Sequence, residues 1–353
     1  MSTQSRKLDF TGQTIHVGID THLKSWRYSI HLDSFLQKTI NLSPPSVSSL
    51  VGYLRQHYPG GSYVCAYEAG FTGFWIQRGL AAQGIETLVV NAADVPTTDK
   101  ERQQKDDVRD SRKIARALRN GELVGIYVPD EQAEQDRAIV RNRESIVCDR
   151  KRAMNRIKSY LHYRGMYPPC GVMEEWKWDR AFISWLHGKS KTDKNLELLM
   201  SAFEAQRKLE KAAMAQIRIL FKEQRHVSSL TILRTVPGVG FLSATKILTE
   251  LIDIKRFGTF DQLCFYAGLI PGTDSSGEHE RAAKRTIRGN KRLRTTLIEC
   301  AWAAIHYDTE LALAYSELKK RMNGQRAIIK IARKLLNRIR YVWLNQTPYL
   351  AAQ

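Results

Sequence analysis

The run TIHVGIDTHLKSWRYSIHL, which begins at Thr14, constrains this chain more than any other stretch. Apolar, β-branched and aromatic residues alternate on both sides of a polar interruption at Thr21 to Lys24, which predicts a strand, a turn and a second strand antiparallel to the first. Past the Pro44-Pro45 turn, SVSSLVGYLRQHY has helical periodicity, and the buried strand in SYVCAYEA ends at Glu68. A helix around Phe74 to Gln83, the short strand ETLVVNA and a helix in KDDVRDSRKIARALRNG closed by Gly121 follow. Apolar strands alternating with helices predict a mixed α/β domain, covered on both faces, over residues 1–128.

The pattern then changes. From Glu131 to Arg164 it is long, charged and helical, and from Asn195 to about Glu223 apolar residues such as Leu196, Leu199, Phe203 and Leu220 recur at helical spacing. Two such helices predict an antiparallel coiled-coil pair or a dimerisation arm over residues 129–227. Between them lies the Trp-rich MEEWKWDRAFISWLHG, whose rings are expected to pack on the arm in preference to stacking on bases. Residues 228–353 read as a third, mostly α-helical region. With 353 residues and 43% hydrophobic content there is ample material for two to three domains.

Lys and Arg number 55 against 36 Asp and Glu, a net charge of +19 that fits a polyanionic partner better than a small acidic metabolite. Five widely spaced cysteines indicate neither a disulfide framework nor a zinc knuckle. The polar start MSTQSRKLDFTGQ and the lack of a run of about 18 apolar residues predict a soluble, intracellular protein with no membrane partner. His16, His22, His31 and His279 lack metal-like spacing and are expected at the surface or in packing, although His22 lies close to Asp20.

Four acidic residues stand where strand ends and a helix would bring them together. Asp20 follows the strand IHVGI, Glu68 ends SYVCAYE, and Asp107 and Asp110 are three apart on one helix, nearly one turn. Convergent carboxylates suit Mg²⁺ or Mn²⁺ in phosphoryl transfer. Taken singly, each equally fits a turn, cap or helix-start acid. VGIDTHLKSW, YEAGFTGFW and KDDVRDSRKIARAL resemble the three DEDD blocks of the RuvC-like (RNase H-like) domain in insertion-sequence transposases of the IS110 family. The resemblance puts Asp20, Glu68, Asp107 and Asp110 in the carboxylate roles. Asp106 stands where the family has Thr, leaving Asp106 as a rival to Asp107, and Ser111 stands where it has Ala.

In the third region LRTVPGVGFLSATKILTEL reads as a helix-hairpin-helix, whose Gly238 and Gly240 would leave backbone N–H groups open to a phosphate; a simple tight turn is the alternative. Downstream, FYAGLIPGTDSSGEHERAAKRTIRGNKRLRTTL passes from a Gly/Pro/Ser loop through Arg281, Lys284, Arg285, Arg288, Lys291, Arg292 and Arg294. A loop serine beside guanidinium groups suits attack on a phosphodiester, though Ser-Gly is also a common turn. The order of a PGIG turn, A-G-L-x-P, Ser-Gly and a basic run ending in G-N-x-x-L-R is similar to the C-terminal domain of the same family. This implies that Ser276 is the nucleophile, with Ser275 adjacent. It also implies a DNA recombinase guided by a structured RNA and built from dimers that pair into tetramers. A metal-dependent nuclease or Holliday-junction resolvase, or a non-catalytic nucleic-acid-binding protein, stands as the alternative.

Overall fold

Thr14–Thr21 and Trp26–Leu32 form strands β1 and β2 in the computed structural model of the chain, paired antiparallel with Gly18 opposite Ser29 and Asp20 opposite Arg27. The structure describes residues 9–32, 35–96, 107–168, 176–270, 274–276, 279–281 and 289–350. It divides into two units, Met1–Val128 and Pro129–Gln353.

In the first unit a third strand, β3 (Phe35–Leu42), pairs antiparallel with β2, where the sequence reading had only an antiparallel pair. The reason is physical: β3 is an edge strand whose first four residues are all exposed, so it carries no period-two burial pattern. Helix α1 (Val47–His57) starts at Ser46, whose hydroxyl accepts from the N–H of Ser49. It leads into β4 (Ser62–Glu68), parallel to β1, and α2 (Trp75–Ala81) leads into β5 (Glu86–Val90), parallel to β4. The sheet order is β3-β2-β1-β4-β5.

Alternation assigns the two faces. Ile15, Val17, Ile19, Cys65 and Tyr67 cluster with Leu50 and Leu54 of α1 and Ile76 and Leu80 of α2. On the other face Ala66 and Val90 cluster with Ile114, Ala117 and Leu118 of α3 (Asp107–Arg119). Burying such aliphatic side chains contributes about 1.5–3 kcal/mol each.

In the second unit α4 (Glu131–Tyr163) and α6 (Lys194–Leu220) run antiparallel. Val140 shares a core with Ile217, Arg143 and Arg150 both reach Glu210, and Tyr160 donates to Asp193. The Trp-rich segment joins them through α5 (Arg180–Ser190). Trp176 and Phe182 are buried against Ile157, Leu161, Leu196 and Phe203, so those rings serve packing. Helices α7 (Gln224–Leu233), α8 (Phe241–Leu251), α9 (Phe260–Tyr266), α10 (Lys291–Tyr307), α11 (Thr309–Lys319) and α12 (Gly324–Asn345) make a helical C-terminal region. Leu233, Ile247, Leu263, Leu297 and Leu335 stand in its core. Within it, β6 (Asp274–Ser276) and β7 (His279–Arg281) pair as a short hairpin where a loop was expected. Among the described residues no helix is long and apolar enough to cross a membrane.

Candidate active site

Asp20 and Glu68 end up side by side because β1 and β4 are parallel neighbours. Gly18 pairs with Ala66 and Ile19 with Tyr67, so the next step of the register brings the two carboxylates abreast. Alternation puts them on the face that Gly18 and Ala66 share, the face covered by α3.

The direction of α3 places the other two. Ser111 Oγ meets Ser29 Oγ at 2.9 Å, at the level of Gly18. His31, opposite His16 earlier in β1, has its pKa lowered by burial first and then by the nearby charge of Arg119, His16 and Arg116. The helix therefore runs antiparallel to β1, and its first turn, with Asp107 and Asp110, lies at the end of the sheet where Asp20 and Glu68 stand. Contact at Gly18 fixes the approach: a Cβ there would sit 2.2 Å from the backbone N of Ala115 and 2.3 Å from the carbonyl O of Ser111. No side chain intervenes between helix and strand at that point.

Local partners are modest. His22, expected at the surface or in packing, has its Nε2 3.1 Å from Asp20 Oδ2. Lys113 Nζ lies 3.3 Å from Asp110 Oδ1. Asp20, Glu68, Asp107 and Asp110 are all carboxylic acids, oxygen ligands of the kind that hard divalent cations take. Among the described residues no three His, Cys, Asp or Glu side chains are close enough together to hold an ion; the side chain of Asp107 lies outside that set, as does Asp106. The hydroxyl of Ser29, which Ser111 meets, also meets Thr39 Oγ1 at 3.0 Å.

The turn after Glu68 is tied down by several bonds. Ala69 N–H donates to Val90 O at 2.8 Å, Tyr67 OH donates to Gly73 O at 2.9 Å, and Thr21 and Thr72 hydroxyls lie 3.5 Å apart. This ordered turn presents Phe71 to solvent.

The second set of predicted residues divides differently. Ser276, next to Ser275, ends β6 opposite His279, and Arg281 ends β7 opposite Asp274. Lys284, Arg285 and Arg288 lie outside the described residues, and the side chains of Ser276 and Arg281 do as well. Lys291, Arg292 and Arg294 occupy the start of α10, N-capped by Asn290. Arg292 pairs with Glu144, and Arg294 donates to the carbonyl of Gly268. Gly240 is the exposed N-cap of α8. Gly238 has a packing reason that the open-phosphate reading missed: at φ +82°, its Cβ would lie 2.3 Å from Cys300 O and 2.7 Å from Ala304 N, so the turn sits on the backbone of α10.

Sequence reasoning also missed Glu250. Its buried carboxylate accepts two hydrogen bonds from Arg141, Nε and Nη2, both at 2.7 Å, and a third from Asn290 Nδ2 at 2.7 Å. Gly289, the residue before Asn290, lies against Gly268, where a Cβ would be 2.3 Å from the Gly268 Cα. Thus A-G-L and G-N, read separately as blocks, form one contact. The signal was the pairing of glycines in two blocks.

Comparison with known proteins adds a family. Residues 17–165 match the DEDD family of the IS110 type, described as transposase, and residues 230–317 match the family described as Transposase IS116/IS110/IS902. A putative transposase, y4qE, of Sinorhizobium fredii is 32% identical over 241 residues, 68% of this chain and 58% of the relative's length. The chain thus spans little more than half of that relative. A second from the same organism, y4rJ, is 31% identical over 76% of this chain and 74% of its own. The transposase for insertion sequence element IS1533 of Leptospira borgpetersenii is 24% identical over 95% of this chain and 97% of its own.

Proposed function

We infer, from the premise that this chain belongs to the IS110 family of insertion-sequence transposases, that it cuts and rejoins DNA strands. The observation that carries the reading is the gathering of Asp20, Glu68 and the first turn of α3 at one end of the sheet. Three antiparallel strands followed by two parallel ones support a RuvC-like, RNase H-like unit over residues 1–128, with an antiparallel coiled-coil arm over 129–227 and a helix-hairpin-helix domain over 228–353.

Asp20, Glu68, Asp107 and Asp110 would hold Mg²⁺ or Mn²⁺, and the ion when bound offsets the charge of the phosphate and its leaving oxygen. Ser276 Oγ attacks the phosphorus and forms a serine phosphodiester as the P–O bond to the departing strand breaks; the serine proton ends on the departing oxygen, which leaves as a strand-terminal hydroxyl. The incoming strand's hydroxyl reverses the exchange and releases the serine, so no ATP is needed. Arg281, Lys284, Arg285, Arg288 and Lys291 supply positive charge around the transferred group. A structured guide RNA, and dimers pairing to tetramers in the bacterial cytoplasm near the nucleoid, belong to the same reading through the family and the +19 charge.

Ser276→Ala and Asp20→Asn test it on a DNA substrate with Mg²⁺. Expected results are no protein–DNA covalent adduct with the first, and no cleavage but retained DNA binding with the second. Cleavage retained by Ser276→Ala points instead to a metal-dependent nuclease or junction resolvase. That second reading is favoured by one observation, that the acidic end is assembled wholly within Met1–Val128.

A further inference from the structure

Within Pro129–Gln353 a cleft of about 560 Å³ opens between the middle of α4 and the start of α10, with Lys246 of α8 beside them. Arg143 and Arg152 line it from α4, and Lys291 and Arg292 from α10. Two carboxylates in the lining face these five cations. Glu144 takes Lys246 at 2.8 Å and also Arg292, so it ties the two walls together. Asp149 takes Arg152 at 2.7 Å, an exposed pair on one helix that water and salt weaken. Lys291 enters no ion pair among the described residues. Arg143 is also taken by Glu210. With five cations against two carboxylates the lining keeps an excess of positive charge, and it lies on Lys246 and the start of α10, since Arg143 and Arg152 of α4 are matched by Glu144 and Asp149; a phosphate-rich polyanion suits it better than a single carboxylate.

The shape narrows the ligand. A space of about 560 Å³ takes a short stretch of one sugar–phosphate backbone, the part of a nucleic acid that carries its charge. We propose that this cleft holds the phosphate backbone of one DNA strand, so that α4 contacts nucleic acid as well as building the arm. The inference rests on the reading that the protein acts on DNA. It concerns a site in the second unit, made from residues other than the carboxylates and Ser276, and it shares Lys291 with the cations placed around the transferred group.

The cleft carries its own reporter. Cys148 lines it and is exposed, whereas Cys65, Cys264 and Cys300 are buried. In the full-length chain with Cys170→Ser, alkylation by N-ethylmaleimide then follows Cys148. Without divalent ions, a saturating single-stranded oligothymidylate is expected to slow that reaction at least tenfold. Arg152→Glu with Lys291→Glu reverses two exposed charges. It should raise the oligonucleotide Kd at least tenfold and lower the slope of log Kd against log salt by about 1.4, at roughly 0.7 per phosphate contact on single strands. An oligonucleotide that binds without protecting Cys148 overturns the proposal. So does unchanged binding by the double variant, or stronger protection by RNA of equal length. No metal and no cleavage enter this assay, so inactivity of Asp20→Asn and failure of protection are separate results.

Discussion

Replacing Glu250 with alanine is the sharpest test of how the second unit is held together. The residue is 3% exposed. Burial alone would raise its pKa, but hydrogen bonds from Arg141 and Asn290 and the charges of Arg141 and Arg137 outweigh that and hold the carboxyl below its ordinary range, ionised at neutral pH. Alanine would strand the Arg141 guanidinium and the Asn290 amide together. Removing one partner of a buried pair costs about 3–5 kcal/mol. Arg141, at 41% side-chain exposure, can turn partly to water, which favours the lower end, about 3 kcal/mol. Pro129–Gln353 falls in the size class of roughly 150–250 residues, for which Tm moves about 2–4 °C per kcal/mol. Scanning calorimetry of the full chain at pH 7 is therefore expected to show one transition lowered by about 6–12 °C. Glu250→Gln keeps the shape and an acceptor for Asn290, and should fall between. A depressed folded pKa contributes stability above the unfolded value, 4.5, that is lost as pH falls through the folded one, so the gap between wild type and Glu250→Gln must narrow below pH 4.5. A transition within 2 °C of wild type in the alanine variant, or a Gln gap of equal size at pH 7 and pH 3, would refute the reasoning (tolerance of about 2 °C, under 1 kcal/mol).

Three further outcomes follow from contacts already given. Gly18→Ala places a Cβ 2.2 Å from the Ala115 backbone N, and neither backbone can yield cheaply; a loss of about 1–3 kcal/mol in the first unit should appear in denaturant melts, with weakened Mn²⁺ binding by titration calorimetry. Gly238→Ala combines φ +82° with a 2.3 Å approach to Cys300 O, and should cost on the order of 2–4 kcal/mol, read as a shifted urea midpoint with an unchanged slope. Ser111→Ala removes the partner of Ser29 but leaves it Thr39; a change of about 1 kcal/mol or less is expected, and a larger one in thermal melts would mean that Thr39 does not compensate.

The parts of this protein readable in advance were those in which local pattern and tertiary role agree. Strands β1, β2, β4 and β5 bury one or both faces, so their apolar residues carry the signal, and Glu68 could be seen at a strand end. Strand β3 could not, because its first half faces solvent and its partner, β2, is what makes it a strand. The four acids were visible as residues; that the first turn of α3 lies at the sheet end bearing Asp20 and Glu68 depended on the direction of α3, which no local period encodes. Glu250 looked like any surface acid on an amphipathic helix, since its partners Arg141 and Asn290 lie 109 and 40 residues away. Gly238 and Gly289 were noticed as glycines, but the bodies they touch, α10 and Gly268, are likewise remote in sequence.

Helix α3 rests on β1 at Gly18 as main chain on main chain. The approach of the strand that bears Asp20 to the helix that bears Asp110 is therefore set, at this point, by backbone meeting backbone in van der Waals contact. A single carbon atom gained at position 18 would force the two apart.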